Sequence, residues 1–277
     1  MDIAIVTDST GDIPPELAAQ HHIQVVPNLL VINGKSIEDG KGISREEFYN
    51  RLPGMNPLPT TATASSGTYH QLYEKLFQLG CKEILSIHAS GLLSGIVNSA
   101  SLAAQSFAGR VHVIDSTSVT LGLGFQVLAA AEAVARGAGL DATLALLKDL
   151  HPRSRVVAML DTLEYVRRSG RVSWARANLG NLLRIKPFVE MHAGKVRSLG
   201  ETRTRHKGID HLKELLLSQG PLERLAILHT NAEAEARQIV ADLNLQMATE
   251  PLVVNVTTII GTHTGPNGLG FAAIVKE

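Results

Sequence analysis

Two short clusters of hydroxyl side chains carry the most specific chemistry in the chain. Pro59-Thr60-Thr61-Ala62-Thr63 forms the first, and Ser90-Gly91-Leu92-Leu93-Ser94-Gly95 forms the second. A helix and an apolar strand fit between Thr61 and Ser94, so both clusters are expected in loops beside helix starts. Free backbone N–H groups and small hydroxyls there can hold an anion without a metal ion or a lysine. A carboxylate accepts up to about four hydrogen bonds, each contributing about 1.5–3 kcal/mol net. Thr61 and Ser94 would donate through their hydroxyls, and Gly95 permits close backbone approach. The same residues also suit plain helix N-caps, Thr61 or Thr63 for one helix and Ser94 for the next.

A second group lies near the C-terminus, in Gly261-Thr262-His263-Thr264-Gly265-Pro266-Asn267-Gly268-Leu269-Gly270. The pattern puts His263 at the end of an apolar strand, before a glycine loop, a setting that suits a functional histidine. Ser94, His263 and Asp8 or Asp115 could form a nucleophilic triad, which makes a serine hydrolase the alternative reading. The Gly-x-Ser-x-Gly elbow is missing, since no glycine stands two before Ser94. No paired cysteine, His-x-His or His-Glu-x-x-His spacing suggests a metal site, and no phosphate-binding loop or dinucleotide fingerprint suggests a nucleotide cofactor. Arg167, Arg168, Arg171, Arg176, Arg184, Arg197 and Arg203 form a locally basic stretch. Either it is a solvated face, or Arg171 and Arg203 converge on a phosphate-bearing partner.

Short apolar runs alternate with amphipathic stretches in the first half. Strands are expected at Ile3–Val6, Glu83–Ile87 and Val111–Ile114, with a long extended run from Ile23 to Ile32. Helices are expected at Pro14–His21, Ser44–Leu52 with a Ser44/Glu47 capping box, Ser66–Leu79, Ser94–Ser106, Val119–Arg136 and Leu140–Leu150. The order predicts an N-terminal α/β domain, residues 1–152, with a doubly wound, mainly parallel sheet. Asp-Ser-Thr occurs twice at a strand's carboxyl end, at Asp8 and Asp115, where it caps a turn or faces a ligand. Residues 153–277 predict a C-terminal α+β domain with a mixed sheet. It should contain short helices at Thr162–Arg168 and Ser173–Leu182, a hairpin turning at Ala193-Gly194, and closing strands at Val254–Ile260 and Gly270–Val275.

Composition narrows the class further. The 277 residues are 44% hydrophobic and 19% charged, enough apolar content for a packed core. Lys+Arg and Asp+Glu are equal at 26 each, which gives no global attraction to nucleic acid or an anionic membrane. Cys81 is the single cysteine, so no internal disulfide forms, and its surroundings suit an inert thiol. No apolar stretch reaches the ~20 residues that span a bilayer, and no secretory signal pattern opens the chain. The expectation is a cytoplasmic protein without stable membrane insertion.

An ordered set of segments resembles the DegV family over the whole length. It comprises Val6-Thr7-Asp8-Ser9-Thr10, Leu58-Pro59-Thr60-Thr61, Leu93-Ser94-Gly95 with Asn98-Ser99-Ala100, and Val113-Ile114-Asp115-Ser116. It continues with Leu163-Glu164-Tyr165-Val166, Ser169-Gly170-Arg171, Gly180-Asn181-Leu182-Leu183, Lys186-Pro187, Thr202-Arg203-Thr204 and Gly261-Thr262-His263-Thr264-Gly265-Pro266. The resemblance implies two α/β domains and a long-chain fatty acid as ligand, with no cofactor and no catalysis by the chain itself. It implies that Thr61 and Ser94 hold the carboxylate, with Gly95, His263 and Arg203 close by. It also implies a partner, a separate fatty acid kinase to which the acyl carboxylate is presented for conversion to acyl phosphate. Two segments depart from the family pattern. Thr61-Ala62-Thr63-Ala64 replaces Thr-Ser-Gln-Pro, leaving Thr63 to supply the lost hydroxyl, and Ser94-Gly95-Ile96-Val97 replaces Ser-Gly-Thr-Tyr.

Overall fold

The computed structural model describes residues 2–172 and 185–276. Its first sheet is built from β1 (Ile3–Asp8), β2 (Gln24–Val26), β6 (Glu83–His88) and β7 (Val111–Asp115), in the order β2-β1-β6-β7 and parallel throughout. Parallel strands buried on both faces carry continuous apolar runs, and Ile3-Ala4-Ile5-Val6 and Ile84-Leu85 are of that kind. The helices of this half are α1 (Pro15–Gln20), α2 (Arg45–Arg51), α3 (Ser66–Gln78), α4 (Ile96–Ala104), α5 (Thr120–Ala135) and α6 (Leu140–Arg153). A small antiparallel sheet, β4-β3-β5, is formed by β3 (Leu29–Ile32), β4 (Lys35–Glu38) and β5 (Thr60–Ala62).

The long extended run expected over residues 23–32 is two strands in two different sheets. Pro27 has no N–H to donate to a ladder, and the chain turns at Pro27-Asn28 from β2 on the parallel sheet to β3 on the small one. Ser44 caps α2 by accepting from the Glu47 N–H at 3.1 Å, as its spacing predicts. The Glu47 carboxylate instead pairs with Arg51 at 2.9 Å, so the reciprocal half of the capping box is not made.

The second sheet has the order β10-β9-β8-β13-β11-β12. Its strands are β8 (Ser154–Met159), β9 (Lys186–His192), β10 (Lys195–Thr202), β11 (Leu222–His229), β12 (Leu252–Asn255) and β13 (Leu269–Val275). Only β11 and β12 run parallel, so the sheet is mixed. Ala193 (φ 47°) and Gly194 (φ 79°) make the two-residue β9–β10 turn, both in the left-handed region that matches strand twist. The remaining helices are α7 (Glu164–Ser169), α8 (Arg205–Leu217), α9 (Glu233–Leu243) and α10 (Thr258–Thr264). The helix expected over residues 173–182 lies outside the described residues.

Helix α5 joins the two halves. Its small apolar residues let it pack on β1 from one side and on β8 and β13 from the other, and almost every residue in it is buried. A methyl group at Gly124 would collide with the Gly11 carbonyl oxygen and the Leu121 side chain. Gly124→Ala is therefore expected to cost about 1–3 kcal/mol in urea unfolding, although alanine is the better helix former. Among the described residues no helix is long and apolar enough to cross a membrane. Cys81 is partly buried, and desolvation raises its thiol above the ordinary value.

Candidate functional site

Thr61 sits on a strand, not in a loop beside a helix start. Leu30 of β3 pairs with it across the small sheet. The cap of α3 is Ser65, whose hydroxyl accepts from the Thr68 N–H at 3.1 Å, so neither Thr61 nor Thr63 is spent as a cap. Helix α4 begins at Ile96, with Gly95 at the cap position and no side-chain cap bond. The Ser94 N–H donates to the Ser90 carbonyl at 3.1 Å, which closes a turn. Among the described residues the Ser94 Oγ has no hydrogen-bond partner, so it too is not a cap. A side chain added at Gly95 would meet nothing within 4 Å, so space is open beside Ser94.

His263 lies on helix α10, where the sequence pattern predicts the end of a strand. The β-branched residues from Val254 to Ile260 favour extended structure. Strand β12 nevertheless stops at Asn255, because Thr257 caps a helix by accepting from the Ile260 N–H at 3.3 Å. The tip of His263 meets Thr61, with Nε2 to Oγ1 at 2.9 Å. Burial, helped by the Arg171 charge, pushes the His263 pKa down to about 4, so the ring is neutral at pH 7. Its Nδ1 is buried without a partner. A bare acceptor is tolerated there better than an orphaned N–H, which favours the tautomer with the proton on Nε2. The ring then donates to Thr61 Oγ1, and the threonine's own O–H is left to donate elsewhere.

Thr61, Thr63, Ser94, Gly95 and His263 line one cavity of about 300 Å³. Residues of both halves wall it. Apart from that polar end the lining is largely apolar, with Leu160, Val166, Val189, Met191, Leu228 and Ile259 among its residues. Ala62, Gly95 and Arg171 are exposed while Leu160, Met191 and Leu228 are buried, so the hydroxyl-bearing end reaches the surface and the apolar end is enclosed. Arg203 lies apart from this group. It is exposed in the bend before α8 and does not line the cavity, and Arg171 stands in the wall instead. The Arg171 Nη1 donates to the Ser169 carbonyl at 2.6 Å. Gly170 in the left-handed region (φ 72°) ends α7 and turns the chain at that point.

The hydrolase reading finds no support in this geometry, because His263 is engaged by Thr61 and no hydrogen bond joins it to Ser94 among the described residues. Asp8 and Asp115 do not reach His263. Asp115 accepts from the Thr117 N–H at 2.7 Å and the Gly91 N–H at 3.0 Å, which shapes the Ser90–Gly95 loop. Asp8 belongs to a buried chain that the sequence pattern does not reveal. Its Oδ2 meets His88 Nδ1 at 3.0 Å, His88 Nε2 meets Ser86 Oγ at 2.7 Å, and Ser86 Oγ meets Tyr73 Oη at 2.8 Å. The Asp-His-Ser order matches that of a triad, yet none of the three is more than 1% exposed and none lines the cavity, so no substrate reaches them. Among the described residues no group of His, Cys, Asp or Glu could hold a metal ion.

Fold and site together define a two-domain α/β protein with an apolar chamber that is polar at one end. The sequence profile of the DegV family, described as an uncharacterised protein family, matches residues 2–276. The chain belongs to the DegV family. A DegV domain-containing protein of Deinococcus radiodurans is 37% identical over 279 residues, covering 98% of each chain. A structure of fatty acid binding by a DegV family protein from Thermus thermophilus superposes with a TM-score of 0.90 at 35% identity, over 100% of both chains. DegV of Bacillus subtilis, whose crystal structure is described as that of a fatty acid binding protein, superposes with a TM-score of 0.86 at 32% identity, again over 100% of both chains.

Proposed function

We propose that this protein is a non-catalytic carrier that binds one long-chain fatty acid and presents its head to a separate fatty acid kinase for conversion to acyl phosphate. The observation that carries the binding reading is the cavity itself: an enclosed apolar chamber with the Thr61 and Ser94 hydroxyls gathered at the end that reaches the surface. Each buried CH₂ is worth about 0.8 kcal/mol, so a sixteen-carbon tail gains on the order of 10 kcal/mol before the costs of association. Thr61 and Ser94 donate to the head, His263 sets the direction of the Thr61 hydroxyl, and Gly95 leaves room for the oxygen atoms. The relatives from Thermus thermophilus and Bacillus subtilis, both above 30% identity over the full length, support the choice of ligand.

The kinase is placed on a separate chain because this sequence holds no nucleotide-binding motif. Arg203, exposed and outside the chamber, suits the contact with that partner rather than the ligand. Denaturing mass spectrometry of protein purified from a bacterial host is expected to release one long-chain fatty acid per chain. Protein that releases no lipid, and takes up none when palmitic acid is added, would refute the carrier.

A further inference from the structure

Asn28 is a deeply buried polar side chain of the chamber wall, and its hydrogen-bonding capacity is only half used. It is 1% exposed and lines the cavity. Its Nδ2 donates to Asp8 Oδ1 at 3.1 Å. An ionised aspartate only accepts, so this contact fixes which end of the amide is nitrogen and leaves Oδ1 on the other side. The Asn28 backbone is held as well, with its N–H on Ser9 Oγ at 3.1 Å and its carbonyl accepting from the Asp39 N–H at 2.8 Å. The side chain has no freedom to turn over, and Oδ1 is buried without a hydrogen-bond partner. Asn28 directly precedes β3, whose Leu29 pairs with Ala62, so it lies beside Ala62-Thr63 at the polar end.

A buried acceptor left unpaired is costly, and a ligand that brings a donor recovers that cost. A carboxylate brings none. We propose that Asn28 is a third head-group residue, whose side-chain oxygen accepts a hydrogen bond from the ligand's own O–H, so that the acyl group is held as the carboxylic acid with its proton. This inference rests on the fatty-acid reading above and adds the protonation state that the site selects.

The charges around the amide agree. Asp8 lies directly behind it and the Asp39 N–H is on the Asn28 carbonyl, and both carboxylates oppose a further anion; Asp12, whose pKa burial raises to about 7, adds only a partial charge at pH 7. The Arg45 cation is committed elsewhere, paired with Asp12 at 3.3 Å. His263 is neutral at pH 7, and His229 Nδ1 accepts from the Ala232 N–H at 3.2 Å. Arg171 is the one Lys or Arg in the wall among the described residues; it is exposed and bonded to the Ser169 carbonyl, and its charge, which reaches His263, is the one that opposes a bound proton.

The test loads the full chain with palmitic acid labelled with ¹³C at the carboxyl carbon and follows that carbon's resonance against pH. The bound acid is expected to titrate at least about two pH units above an ordinary carboxyl group near 4. Asn28→Ala and Asn28→Ser are each expected to lower that midpoint by about one pH unit, the equivalent of one hydrogen bond. A bound signal in the wild-type protein that titrates within one unit of the ordinary value overturns this inference and leaves the carrier standing. The wild-type titration decides this even if neither variant folds. A raised midpoint that both folded variants retain overturns the role of Asn28. No bound signal at all overturns the carrier and the inference together.

Discussion

Replacing Thr61 by valine and Ser94 by alanine is expected to leave the fold intact and to lower fatty acid affinity by about thirtyfold or more. Valine preserves the β-branched shape that β5 needs, and Ser94 contributes no side-chain hydrogen bond to the turn that holds it. The change therefore isolates the two hydroxyls. Each donates one hydrogen bond to the head, worth about 1 kcal/mol to a neutral acid and more to a carboxylate. Two such bonds sum to about 2 kcal/mol, and 1.4 kcal/mol is tenfold in a binding constant. Competition titration with a fluorescent fatty acid measures the change, and circular dichroism confirms the fold. Thr61→Val alone should account for about half of the loss, since it removes one of the two hydroxyls. An unchanged affinity in the double variant would remove the head-group assignment while leaving the apolar chamber as the seat of the tail.

The sequence made the parallel sheet and the polar end of the site readable for different reasons. Buried parallel strands must be continuously apolar, so Ile3–Val6 and Glu83–Ile87 announce themselves. Thr61, Ser94 and His263 are recognisable as chemistry-bearing residues in loop-like contexts. Their true backbone settings are not, because those depend on partners far along the chain. Thr61 is a strand residue only because Leu30 lies opposite it, and β3 exists as a separate strand only because Pro27 releases the chain from the parallel sheet. His263 is helical although its approach is β-branched, because Thr257 caps the helix and Tyr49 donates to the Val256 carbonyl at 2.8 Å just before it. Arg203 and Arg171 look alike in sequence. The Gly170 turn brings one into the wall, and a bend before α8 sends the other outward. Asn28 carries no local signal. Its importance comes from Asp8, twenty residues earlier, which holds the amide nitrogen.

Asp8→Ala is expected to cost about 3–5 kcal/mol of stability, the largest effect of any single change considered. The carboxylate takes hydrogen bonds from His88, from the Ala89 N–H at 3.2 Å, from the Thr10 N–H at 3.0 Å and hydroxyl, and from Asn28. Removing it strands all of these donors in a fully buried site, which costs far more than the pair contributes when intact. Burial alone would raise the Asp8 pKa. The hydrogen bond and attraction of His88, with the bonds from Thr10 and Ala89, outweigh it and hold the group below its ordinary value of 3.8. The sign for stability follows from the folded value lying under the unfolded one. The contribution is present in full above pH 3.8 and is lost as the pH falls through the folded value, when the carboxylate takes up a proton. Urea unfolding near pH 7 should therefore show the full loss in Asp8→Ala, and the difference from wild type should shrink only below about pH 4. The variant also unpins the Asn28 amide, so its lipid-bound form should lose the raised carboxyl midpoint along with stability. A variant as stable as wild type would mean that the buried chain from Asp8 to Tyr73 is incidental, and the orientation of the Asn28 oxygen would lose its physical cause.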